Sequence, residues 1–284
     1  YRRPLDWHDR QVERNVPEAG HSLRVLFTEG TMTPPITALG SRYGIQGALG
    51  RSVKRAASGI TDPTDISGCL LWYDFSDANS LFTDDGVTNV SSDGDLIYRI
   101  NDKSGNSNHG KQTTEGYRPV YKTNIQNSKS IARFASDNID FTSRLTTIRT
   151  AYFVFSDADT GNDANRFLLG DTTYSWHRAY TSSDGIRNYF DSTYNYASVY
   201  VREGTVHRNG TSVSPVADAP LATIHITAVT TTGNLPANKF QGDRANTHRY
   251  WIGDVAEIIL YSGAHDDATR QMVENYANSK WSLY

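Results

Sequence analysis

The chain has almost no cysteine. Cys69 is the single one among 284 residues. One thiol cannot build an internal disulfide framework. It lies in an apolar run, so the sequence predicts a buried, inert thiol. No stretch approaches 18 consecutive apolar residues, which excludes a transmembrane helix by composition. Strong charge is absent too: the formal net charge is −3, with no general electrostatic drive toward nucleic acid or an anionic membrane. No secretory leader is legible. The chain opens on Tyr1 rather than Met, which leaves targeting open. Hydrophobic residues make up 37%, low for a compact globule but sufficient for one β core. Aromatics are in excess, with 17 Tyr, a residue suited to strands and to binding faces.

Organisation follows from turn chemistry. Residues 1–62 carry more Lys/Arg than Asp/Glu, are broken by Pro4, Pro17, Pro34 and Pro35, and contain a Gly-studded basic stretch with Arg42, Arg51, Lys54 and Arg55. Such a segment buries little surface alone. It is expected to be an extended N-terminal arm, either a linker or a segment that docks on a partner. Asp62-Pro63 marks the boundary. From 63 to 284 the pattern is strand, turn, strand. Expected strands are 69–76, 96–100, 130–135, 149–156, 165–170, 186–191, 197–202, 205–208, 222–230 and 251–261. Asn209-Gly210 between short strands predicts a type I′ hairpin. Asn209-Gly210-Thr211 and Asn89-Val90-Ser91 also match the N-glycosylation sequon, and both are read as turns. Asp266 is the expected cap of one helix through Trp281, with Trp281 a packing residue.

Three separated pieces carry a resemblance. They are Leu70-Leu71-Trp72-Tyr73-Asp74-Phe75 with Asp77, the polar turn Asn101-Asp102-Lys103-Ser104-Gly105-Asn106-Ser107-Asn108-His109, and Trp251 to Tyr261 running into the 266–281 helix. Together they resemble the concanavalin A-like lectin/glucanase superfamily, in its laminin-G-like jelly-roll branch. The resemblance implies an all-β, antiparallel jelly-roll sandwich with one C-terminal helix. It is similar to modules on bacteriophage virion proteins and bacterial surface proteins. The implied function is that of a non-enzymatic virion component: capsid decoration, a fibre or a baseplate element. Residues 1–62 would hold it to a capsid or tail protein, in a homo-oligomer, and the sandwich would face host polysaccharide. The alternative is a bacterial surface or secreted carbohydrate-binding module.

Catalysis is not expected. Glucanases of this superfamily place carboxylates at even spacing on one strand, and a retaining glycosidase needs two flanking the scissile bond. Here the nearest pair is Asp254 and Glu257, whose odd spacing predicts opposite faces. The eight His show no short metal-ligand spacing. Asp102, Ser104 and Asn106, with Asn108, offer oxygens at alternate positions and are a calcium candidate. However, no acidic residue stands at the twelfth position, and a self-bonded turn competes. The binding candidate is an aromatic cluster: Tyr174, Trp176, Tyr180, Tyr189, Phe190, Tyr194, Tyr196 and Tyr200, interspersed with Arg187 and Asn188. Flat sugar faces stack on exposed rings, and hydroxyls pair with Arg and Asn. The same rings equally suit a subunit interface or the core.

Overall fold

A computed structural model describes residues 59–158, 168–173, 175–178, 188–190, 192, 196–242 and 251–284. The expected arm, apart from residues 59–62, lies outside this set. Those four are seated on the β domain. Ile60 packs against apolar side chains beneath the C-terminal helix. Asp62 caps a single 3₁₀ turn, Pro63–Asp65, and the Tyr261 hydroxyl donates to the Pro63 carbonyl at 2.8 Å.

The fold is an all-β antiparallel sandwich with one long helix at its C-terminus. In chain order the strands are β1 (Cys69–Asp74), β2 (Leu81–Phe82), β3 (Arg99–Ile100), β4 (Gly110–Lys111), β5 (Val120–Gln126), β6 (Lys129–Ala135), β7 (Ile139–Phe155), β8 (Leu169–Gly170), β9 (Thr205–Arg208), β10 (Thr211–Val213), β11 (His225–Phe240) and β12 (Ile252–Tyr261). One helical turn, α1 (Val199–Arg202), precedes β9, and α2 (Asp267–Trp281) ends the fold. The main path runs β10-β9-β11-β7-β12-β6-β5. Strand β12 pairs with β7 along one side; on the other, β6 takes its first half and β1 its second.

Alternation along the central strands separates two cores. On β7, Ala151, Phe153 and Phe155 enter the core between the layers, while Tyr152 and Val154 face the helix. On β1, Leu71, Tyr73 and Phe75 point inward, and Trp72 points to the helix side. This is period-two patterning with both faces buried, which is why these strands read as continuous apolar runs. Helix α2 presents Val273, Ala277 and Trp281, spaced by four, to the second core. The Asp266 carboxylate accepts the Thr269 amide at 2.8 Å, as the cap reading expects. The hairpin β9–β10 turns at Asn209 (φ 49°) and Gly210 (φ 75°), both left-handed, as a type I′ turn requires.

Some expectations fail. Residues 197–202 are not a strand: Ser198 Oγ accepts the Tyr200 amide and starts α1. Residues 188–190 are not in a strand either. Strand β5 and the first half of β7 were not expected. Both are polar and partly exposed, so alternation there is weak. Cys69 is half-buried, and burial pushes its thiol up to about 12.

Candidate functional site

Glu257 accepts four hydrogen bonds from side chains alone. It is wholly buried beneath α2. Its Oε1 accepts from Trp72 Nε1 at 2.6 Å, the Tyr276 hydroxyl at 2.7 Å and Lys280 Nζ at 3.2 Å; its Oε2 accepts from Trp281 Nε1 at 2.8 Å. Asp74 stands directly opposite on β1. Two carboxylates facing each other across a ladder repel. Lys280 lies between them, 2.8 Å from Asp74 Oδ1, and Lys103 takes the other oxygen at 3.0 Å. Burial acts on both carboxyls and favours their neutral forms. At Asp74, Lys280, Ser76 and Lys103 outweigh burial and hold the carboxyl below its ordinary range. At Glu257 burial wins, helped by Asp74, and the carboxyl is raised. The cluster fastens the C-terminal helix to the first and last strands of the domain.

Asp254 and Glu257 do not fall on opposite faces. The β12–β7 register shifts between Val255 and Glu257, and a bulge resets the alternation. Val255, Ile258 and Leu260 therefore point inward, while Ala256, Ile259 and Tyr261 face the helix. Glu257 joins the second set. Asp254 does too, held by a bidentate Arg133 on β6 at 2.7 and 2.9 Å. The odd spacing misled because a bulge is invisible to counting. Even so, neither carboxylate is available: one is saturated by four donors, the other by a guanidinium.

The polar turn 101–110 is also internally bonded. Both Asp102 oxygens face donors: the amides of Trp72, Ser104 and Asn108 at 2.9, 2.9 and 3.0 Å, and Ser104 Oγ at 2.8 Å. Asn106 Nδ2 donates to the carbonyls of Cys69 and Leu70. A calcium ion at Asp102, Ser104 and Asn106 would have to displace these donors. Among the described residues no group of three or more His, Cys, Asp or Glu is placed to hold a metal. The sequon asparagines also bond within the fold. Asn89 Nδ2 donates to three carbonyls, and Asn209 Oδ1 accepts the Ile226 amide.

The aromatic cluster divides. Tyr174, Arg187 and Tyr194 lie outside the described residues. Trp176 and Tyr189 are buried, not on a surface platform. Trp176 packs on Phe190 and donates Nε1 to the Pro236 carbonyl at 2.9 Å; the Tyr189 hydroxyl meets Thr227 Oγ1 at 2.9 Å. Their tips find partners inside the fold, so no exposed position is needed. Tyr196 is 46% exposed, and Tyr200 and Val199 are 43% and 40% exposed beside it. The Tyr200 ring lies over Gly233, where any Cβ would strike it. Tyr196 leans edge-on against His177, with ring centroids 5.3 Å apart. This is where aromatic surface remains on the described part of the cluster.

A cavity of about 570 Å³ opens on the helix side, among the 59–62 segment, β1, the polar turn and α2. Asp62, Lys103, Lys129, Asn275, Tyr276 and Ser279 contribute to its wall, and Asp74 and Lys280 to its floor. Sequence reading missed it. The legible signal was Trp72 and Asp74 at alternate positions on β1, which places both on one face. Comparison with protein-family models finds no match, and comparison with curated proteins finds none. Among the described residues no helix is long and apolar enough to cross a membrane.

Proposed function

We propose that this chain is a non-enzymatic virion structural protein whose sandwich domain presents a glycan-binding face to the host. The resemblance to the laminin-G-like jelly-roll branch supplies the virion part of the reading, with residues 1–62 as the docking segment. The single observation that carries the binding role is the exposed Tyr196–Val199–Tyr200 surface. Tyr196, Val199 and Tyr200 lie close together along the chain and are each turned to solvent, and clustered exposed apolar surface is a mark of interaction sites. Tyr rings of this kind serve both sugar stacking and polar contact through their hydroxyls. The use of Glu257 and Asp254 supports a non-catalytic role. A glycosidase needs one carboxyl free to protonate and another free to attack, and both of these are engaged by neighbours within the fold.

The test is binding of the full chain to host-type cell envelopes and a panel of bacterial polysaccharides. The double variant Tyr196→Ser/Tyr200→Ser should reduce saturable binding at least about tenfold, a loss of ~1.4 kcal/mol. Its melting temperature should stay close to that of the unaltered chain. Undiminished binding would remove the Tyr196–Tyr200 face from the account.

A further inference from the structure

We propose that the cavity between β1 and α2 binds a saccharide unit bearing a single anionic group, a carboxylate or a phosphate ester. The inference rests on the reading of the domain as glycan-binding, and it assigns a second site remote in sequence from Tyr196 and Tyr200. Lys280 directs its ammonium at Asp74, Glu257 and the Tyr276 hydroxyl, which uses all three of its hydrogens. Lys103 is spent as well: it pairs with Asp74 and Asp77 at 3.0 and 2.8 Å, and its ammonium stands over the Trp72 ring, 4.6 Å from the ring centre. Lys129 lines the cavity and forms no ion pair among the described residues, so its ammonium is free to answer a bound anion.

Lys129 is also held in place. It follows the β5–β6 turn, where Asn127 (φ 48°) and Ser128 (φ 57°) are left-handed. Two side chains tie this hairpin to the end of α2: Gln126 Nε2 donates to the Trp281 carbonyl at 2.8 Å, and Asn127 Nδ2 to the Lys280 carbonyl at 3.0 Å. Asn275 and Ser279, one helical turn apart on α2, add an amide and a hydroxyl to the same wall. Across from them Asp62 has one oxygen taken by the Thr64 amide and hydroxyl, and its other oxygen remains open.

The cavity thus offers an unpaired cation, neutral donors and one carboxylate acceptor. An anionic group suits Lys129. Sugar hydroxyls suit Asp62, Asn275 and Ser279. The volume falls within the roughly 300–1,000 Å³ of small-molecule sites. A purely apolar ligand would strand these polar groups without water. A bare anion would leave Asp62 unanswered.

Isothermal titration of the full chain would use four probes: glucuronate, glucose 6-phosphate, glucose and inorganic phosphate. One or both charged sugars should bind, weakening as salt rises. Glucose and inorganic phosphate should bind at least about tenfold more weakly. Lys129→Ala should abolish the difference between charged and neutral sugar while leaving the melting temperature unchanged. Which charged sugar binds identifies the anion. Equal binding of glucose, equal binding of inorganic phosphate, indifference to Lys129→Ala, or no heat from any probe would each overturn the proposal. Tyr196→Ser/Tyr200→Ser should leave this binding intact, so failure at one site is separable from failure at the other.

Discussion

Replacing Glu257 by Gln changes one atom and no volume, so its effect isolates the carboxylate's hydrogen bonds. Oε1 accepts three donors and Oε2 accepts the Trp281 indole at 2.8 Å. A Gln side chain has one acceptor atom and one donor atom. If its oxygen takes the place of Oε1, its NH₂ confronts the Trp281 N–H. If it flips, the NH₂ confronts three donors. The first choice is the milder and still leaves one buried donor unpaired, at about 1–3 kcal/mol. Lys280 also loses one of its two carboxylates. Breaking a buried ion pair costs roughly 3–5 kcal/mol, and here Asp74 and the relief of a buried charge lower that figure. A net loss of about 3 kcal/mol is expected. For a domain of this size that corresponds to a melting temperature lower by ~6–12 °C. Urea titration at pH 7 with and without the substitution measures it. A loss under about 1 kcal/mol would refute the claim that Glu257 fastens α2 to the sheet. A catalytic carboxylate would behave in the opposite way, with activity lost and stability kept.

The remaining predictions concern the turn, the core, pH and the exposed rings. Asp102→Ala strands three backbone amides and should cost about 2–4 kcal/mol in urea titration. Added calcium or a chelator should leave the unaltered chain's melting temperature unmoved, and a calcium-dependent rise would show that the loop rearranges to bind it. Trp176→Ala should lose about 3–5 kcal/mol, because the ring fills the core; a soluble, unshifted melt would contradict its burial. Burial lowers His225 and His265 to about 4. Their contribution is fully present above the unfolded value near 6.5 and is lost as pH falls toward 4. For His225, nine-tenths buried, this is on the order of 3 kcal/mol. Asp137, raised by burial to about 6, works the other way over the lower part of that range. The urea midpoint should therefore fall between pH 7 and 4.5, and a flat profile would contradict the buried neutral imidazoles. Tyr196→Ser alone should weaken polysaccharide binding less than the double variant, since Tyr200 retains its seat over Gly233.

The architecture was legible where both faces of a strand are apolar. The runs at 69–75, 149–155 and 252–261 announce strands because alternation there is overwritten by burial on both faces. The helix was legible from its cap and its i, i+4 spacing. Strand β5 was not, because Lys122, Thr123 and Asn124 make it polar at the sheet's edge. For the site, composition located the aromatic cluster but could not say which rings turn inward. Trp176 and Tyr189 belong to the same aromatic-rich stretch as Tyr196 and share its chemistry, yet they are buried while Tyr196 is exposed. The separation comes from tertiary packing against Pro236 and Thr227, some forty to sixty residues away. The helix-side cavity was hidden for a similar reason. Asp62, Lys103, Lys129 and Asn275 are scattered along the chain, and pairing β1 with β12 beside α2 brings them together.

The most direct test of the account is a paired measurement on the full chain. Saturable binding to host envelopes or a bacterial polysaccharide would be followed beside release of reducing ends from the same material. By this account, binding should weaken at least about tenfold in Tyr196→Ser/Tyr200→Ser, with no release of reducing ends at any pH. Release of sugar that stops with Glu257→Gln, while the fold stays as stable as before, would contradict it.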